Sequence, residues 1–259
     1  MTKRKGESMM KTTVIHLDAP ERSHVMAGGA YGVLCFFSLP FIFLLFSIGL
    51  DYEPTVASWF EIAFHILNII IVGSIFREYL SDSMLNVRIR GAEFVSVVAI
   101  SVGLMLGVGL VWHFLALFTG LDIFYVAGFG TLPLSEMDIF SLSSNVVLGN
   151  KIFGTLCMVL IVPVTTSCLY YAVGFVPAYN VRPWLGYLTL AAAVAFPRIC
   201  NGMTHWDPAT EMVLYVAQLP VHIIGCWAYK KMDTIWAPIV ALAITNLIAS
   251  ILRMIFYTI

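Results

Sequence analysis

Seven apolar stretches, each long enough to cross a bilayer, constrain this chain more than any other feature of it. A hydrocarbon core takes about 20 apolar residues per helix. Residues 26–50, 57–76, 93–119, 152–177, 184–200, 209–229 and 234–258 qualify. Backbone in hydrocarbon must satisfy its own hydrogen bonds, so spanning stretches of this kind are helices. The expected fold class is all-α, a polytopic transmembrane bundle of seven spans. A further apolar piece, 123–134, is about 12 residues long and is interrupted by Gly128, Gly130 and Pro133. It reads as an interfacial or re-entrant segment; read as a span, it makes an eighth.

Composition agrees with this class. Soluble domains are about one-quarter charged, whereas this chain is 11% charged and 60% hydrophobic, with mean hydropathy +0.90. Those values exclude an ordinary soluble enzyme, a disordered chain, a coiled coil and a collagen. A net charge of −1 gives no reason to expect a nucleic-acid partner.

The basic residues orient the spans. Lys3, Arg4, Lys5, Lys11 and Arg22 precede the first span, and Arg77, Arg88 and Arg90 fall in the second loop. Arg182 follows the fourth span, and Lys230 and Lys231 follow the sixth. Alternate loops thus hold eleven of the fourteen lysines and arginines. The positive-inside rule then puts the N-terminus in the cytoplasm and the C-terminus outside. Asp51, Glu53, Asp122, Glu136 and Asp138 fall on the outer side. Residues 1–25 are polar and lack the apolar core of a signal peptide, so they read as a cytoplasmic tail before a retained first helix. The organisation expected is a tail (1–25), three peripheral helices (26–119), an outer loop (120–151) and a four-helix core (152–259). The expected location is the cytoplasmic membrane of a bacterium.

All five cysteines, Cys35, Cys157, Cys168, Cys200 and Cys226, lie inside spans without paired spacing, which favours buried thiols over disulfides. Gly28 and Gly32 in the first span, and Gly103 and Gly107 in the third, have the spacing that lets helices approach closely. Internal packing is the default reading of both pairs. A homo-oligomer interface through Gly103 and Gly107 is the alternative.

Polar residues inside spans are costly and so carry the functional hypotheses. In the fourth span Thr165, Thr166 and Ser167 follow Pro163 and precede Tyr170 and Tyr171. Hydroxyls placed there satisfy carbonyls freed by the proline, or line a cavity. In the fifth, Arg198 precedes Cys200 and Asn201 near the outer end, where it snorkels to the interface or pairs with Glu136 or Asp207. His205, Asp207 and Glu211 follow in a short outer loop whose spacing matches no zinc signature. His222 in the sixth span reads as a hydrogen-bonded structural histidine, as do His65 and His113, and Asn246 in the seventh as an interhelical hydrogen-bonding amide.

The order of these features from 132 to 250 resembles the CPBP family of intramembrane proteins. That family includes type II CAAX prenyl proteases and the bacteriocin-processing and immunity (Abi) proteins. Trp236-Ala237-Pro238-Ile239 leads to Asn246 much as in the family's last motif, while Pro163 precedes the family's paired-glutamate site and Phe196 falls on the phenylalanine of its second motif. The resemblance implies a helical core that binds a metal through Glu and His and activates water. Here Thr166 and Ser167 stand for the two glutamates, Tyr171 for the arginine and Ala172 for the glycine. Cys200 and Leu242 stand for the two histidines, and Asn246 alone remains. Alcohols and leucine neither ligate a metal well nor accept a proton near neutral pH.

The expected function is therefore non-catalytic: no cofactor, and action through a membrane-protein partner within the lipid bilayer, as scaffold, chaperone or immunity factor. The surfaces expected to serve are those around Thr165, Thr166, Ser167, Tyr170, Tyr171, Cys200, Asn201, His222 and Asn246. An atypical metalloprotease holding zinc through Glu136, His205 and His222 is the alternative. A small-solute transporter or channel is the third class, and it lacks the midplane charges that transport usually needs.

Overall fold

A computed structural model describes residues 17–49, 54–119, 156–205 and 208–257. Among the described residues the chain is helical and has no strand. The helices are α1 (Arg22–Gly49), α2 (Pro54–Ile75), α3 (Arg77–Ile89) and α4 (Gly91–Thr119). A long composite helix, α5 (Cys157–Val181), comes next, followed by α6 (Pro183–His205), α7 (Pro208–Met232) and α8 (Trp236–Tyr257). Among the described residues four stretches are long and apolar enough to cross a membrane: Gly91–Leu115, Val159–Val181, Pro183–Cys200 and Pro208–Met232. Shorter apolar helices cover His65–Ile75 and Trp236–Leu252. The outer loop 120–151, with its 123–134 segment and Glu136, lies outside the described residues.

The exterior has the polarity of a protein in lipid. On α4, Val95, Ile100, Leu104, Leu110, Val111, Phe114 and Phe118 are all at least 50% exposed. Meanwhile Ser101, Thr165, Ser167, His222, Thr245 and Asn246 are buried. An apolar band of this size is costly in water and costs nothing against acyl chains. The interior is built around α7, which packs against α4, α6 and α8. Phe76, Tyr171, Phe175, Leu190, Cys226, Tyr229 and Ile235 fill the core. All five cysteines are free and buried, as expected.

α5 is widened twice. Its π-helical turns, Cys157–Ile161 and Cys168–Phe175, alternate with α-helical Val162–Ser167 and Val176–Val181. Each wide stretch lies just before a proline, Pro163 or Pro177. A proline ring clashes with the carbonyl four residues back and cannot bond to it, and a π-bulge relieves both problems. Hydroxyls bond to carbonyls beside these wide turns: Thr165 Oγ1 donates to Ile161 O and Val162 O at 3.1 Å, and Thr189 Oγ1 of α6 donates to Gly174 O at 2.7 Å.

The second loop is a helix, correcting the expectation for Arg77, Arg88 and Arg90. α3 has Glu78 in its first turn and Arg88 in its last, a charge order that suits the helix dipole. Phe76, Tyr79, Ser83 and Asn86 recur at steps of three and four, so one face turns inward. Thr234 Oγ1 donates to Ser83 O at 2.9 Å, Trp236 Nε1 to Leu80 O at 2.8 Å, and Asn86 Nδ2 to Asp233 O at 2.8 Å. Arg90 pairs with Glu93 at 2.7 Å and reaches Lys231 O at 3.2 Å. α3 is thereby fastened across the α7–α8 turn. Lys230 and Lys231 lie in the last turn of α7 rather than in a loop.

Candidate functional site

The buried polar groups with the most structure around them lie where α5, α6 and α7 meet. On α7, Glu211, Gln218 and His222 are separated by seven and four residues, so they form one stripe along the helix. α6 faces that stripe with Arg198. Its Nη1 pairs with Glu211 Oε2 at 3.2 Å, and its Nε donates to Gln218 Oε1 at 3.3 Å. The two charged side chains are only 13% and 16% exposed. Arg198 thus pairs with an acidic residue, Glu211, rather than snorkelling; Glu136 and Asp207 lie outside the described residues. Glu211 is itself in the first turn of α7 and not in a wet loop.

His222 continues the stripe inward. Its Nδ1 lies 3.1 Å from the Tyr171 hydroxyl of α5, and the Tyr170 ring meets it edge-on at 4.8 Å between centroids. The structural reading of His222 therefore holds. Tyr171 is fully buried, and a methyl group built on Gly225 would lie 2.0 Å from its hydroxyl oxygen. Only glycine lets α7 come close enough for the phenol to reach the imidazole.

The remaining expected site residues divide. Thr165, Ser167, Cys200, Leu242 and Asn246 are buried, and Thr166 is half-buried. Thr165 bonds to its own helix, as the proline reading anticipates. Ser167 Oγ has no hydrogen-bond partner among the described residues. α8, which carries Leu242 and Asn246, packs against the Val162–Ser167 segment. Asn201 and His205 are helical in backbone, and their side chains, like Glu136, lie outside the described residues. Among the described residues no group of three or more His, Cys, Asp or Glu is placed to hold a metal ion.

Chemically, this centre consists of a hydrogen-bonded Tyr–His pair beside a matched Arg–Glu pair. Such groups orient and hold polar partners. Tyr171 and His222 satisfy each other, and Glu211 spends its charge on Arg198. Sequence reasoning missed Gln218, although its place between Glu211 and His222 on one helical face was a legible signal. Comparison with family models, curated proteins and solved structures returned no match for the chain.

Proposed function

We propose that the chain is a divergent, non-catalytic CPBP-like protein of the bacterial cell membrane. In this reading it has seven spans and a cytoplasmic N-terminus, and acts by holding another membrane protein as scaffold, chaperone or immunity factor. The observation that carries this reading is Tyr171. It occupies the position of the family's arginine, one turn from the paired glutamates, and its phenol fills the space against Gly225 and bonds to His222. Thr166 and Ser167 stand for the glutamates and Leu242 for a histidine. A hydroxyl is a poor general base at neutral pH, and leucine has no lone pair to offer a metal.

The orientation is supported by the gathering of basic segments at one end of the bundle. Arg90 on the α3–α4 junction bonds to the carbonyl of Lys231, and Lys230 Nζ lies 5.0 Å from the centre of the Tyr179 ring, three residues before Arg182.

Crosslinking of the full chain in native membranes, followed by purification in mild detergent and metal analysis, tests the reading. The expected result is one membrane protein retained in stoichiometric amount, with zinc at background. A chain recovered alone after crosslinking overturns partner binding. Stoichiometric zinc with chelator-sensitive peptide cleavage replaces the reading with the metalloprotease one.

A further inference from the structure

The segment before α1 is held in a way that the packing of a simple tail does not require. Asn180, in the last turn of α5, grips Leu17 with both halves of its amide. Oδ1 accepts from Leu17 N at 2.8 Å, and Nδ2 donates to Leu17 O at 2.8 Å. The next main-chain groups are met as fully. Asp18 N donates to Asp233 Oδ1 at 2.8 Å, and Asp18 O accepts from the Tyr229 hydroxyl at 2.5 Å. With the Tyr229 proton so used, the Tyr79 hydroxyl donates to the Tyr229 oxygen and lies 3.4 Å from Asp18 O. Four consecutive main-chain groups are thus satisfied by side chains from α5, α7 and the α7–α8 turn.

Local structure sets these side chains. Asp233 has φ of 49°, the left-handed region that aspartate tolerates better than most residues, and its N–H closes the end of α7 on Tyr229 O at 2.7 Å. The Leu17 side chain is 1% exposed and belongs to the main core cluster. Reading an extended chain through its backbone, with one pocket for a side chain, is how peptide receptors combine affinity with tolerance of sequence. Residues 17–21, with Pro20 among them, are non-helical, so this stretch is not a continuation of α1.

We propose that this notch is a peptide-binding site for an extended main chain bearing one leucine-sized residue, and that residues 17–18 are its tethered, displaceable ligand. Tethering gives the resident segment a high effective concentration, on the order of millimolar for a short flexible link. A competitor must therefore be abundant or fit better. Burial, together with the Asp233 and Asp82 carboxylates, pushes the ionisation of Asp18 above the usual carboxylate range.

The test uses the full chain in lipid nanodiscs and reads tryptic cleavage after Arg22, an exposed residue at the start of α1. Proteolysis needs several residues to leave their contacts, so seating in the notch slows it. Asn180→Leu and Leu17→Asp are each expected to raise the cleavage rate at least tenfold. On the unaltered protein, a synthetic peptide of residues 12–21 at millimolar concentration is expected to raise the rate saturably, while the same peptide carrying Leu17→Asp does not. That arm needs no altered protein, so misfolding of a variant does not blur it. Variant rates within twofold of the parent, or no response to the parent peptide, or an equal response to both peptides, would overturn the proposal.

Discussion

The glycine pair on α1 and the pair on α4 share one spacing and have opposite surroundings. A methyl group on Gly28 would meet Phe76 Cζ at 2.6 Å and Val173 Cγ2 at 2.9 Å, and one on Gly32 would touch Leu169 Cδ2 at 3.4 Å. At Gly103 and Gly107, no described residue comes within 4 Å. The spacing says only that a helix has a smooth face. What uses that face depends on the rest of the bundle: α1 lies directly on α5 and α6, whereas α4 turns its glycines away from α7 and α8, on which it packs. Internal packing, expected for both pairs, is found for α1 and is not found among the described residues for α4. Replacing glycines by alanine converts this contrast into measurable differences.

The largest effect belongs to Gly225. Its added methyl would lie 2.0 Å from the Tyr171 oxygen and 2.6 Å from Cζ, and the ring it must displace is fully buried. Overpacking alone costs about 1–3 kcal/mol. Losing the bond to His222 strands a buried imidazole nitrogen, for about 1–3 kcal/mol more. Gly225→Ala is therefore expected to lower stability by about 2–6 kcal/mol, read from the unfolding midpoint in detergent. Combining it with Tyr171→Phe removes the closest atom, so the double variant should be less destabilised than the sum of the singles. Strict additivity would show that the contact across α5 and α7 is not the cause.

Gly186 and Gly28 come next. The methyl of Gly186→Ala would sit 2.7 Å from Tyr179 Cβ and 3.0 Å from its Cα, and backbone cannot swing aside. A cost of about 2–3 kcal/mol is expected. At Gly28 the obstacle is the tip of the Phe76 ring. That ring has no free space, but its end yields more readily than backbone, so Gly28→Ala should cost about 1–2 kcal/mol. The same unfolding measurement ranks the two, and the reverse order would mean that α1 packs more rigidly than α6.

What could be read from the chain itself follows from the length scale of each signal. Each of the seven apolar stretches is helical over most of its described length, and among the described residues four stretches are long and apolar enough to cross a membrane, because an apolar helix of that length announces itself in about 20 consecutive residues. α3 did not, since three arginines in 14 residues outweigh an inward face carried by Phe76, Tyr79, Ser83 and Asn86. In the site, Tyr171 and His222 each stood out as polar groups in apolar helices. Their pairing did not, because 51 residues separate them and glycine at 225 is what brings them together. The pairing of Arg198 with Glu211 is hidden in the sequence because 205–211 reads as a loop, whereas Glu211 sits in the first turn of α7. The hold on Leu17 had no pattern to find: it is made by side chains on backbone groups, and backbone groups are the same in every sequence.

The smallest effect is expected at Gly103, and it is the most informative about the contrast. In a helix interior exposed to its surroundings, alanine is favoured over glycine by about 1 kcal/mol. With no described neighbour within 4 Å, Gly103→Ala has no contact to lose within the chain, so it should leave the unfolding midpoint unchanged or raise it slightly. Gly107→Ala should behave alike. If α4 uses this face against a second helix in the membrane, the same substitutions would lower the amount of crosslinked dimer or complex without lowering the stability of the isolated chain. Destabilisation of the isolated chain by 1 kcal/mol or more would show instead that the face is filled from within, and would erase the difference between α1 and α4.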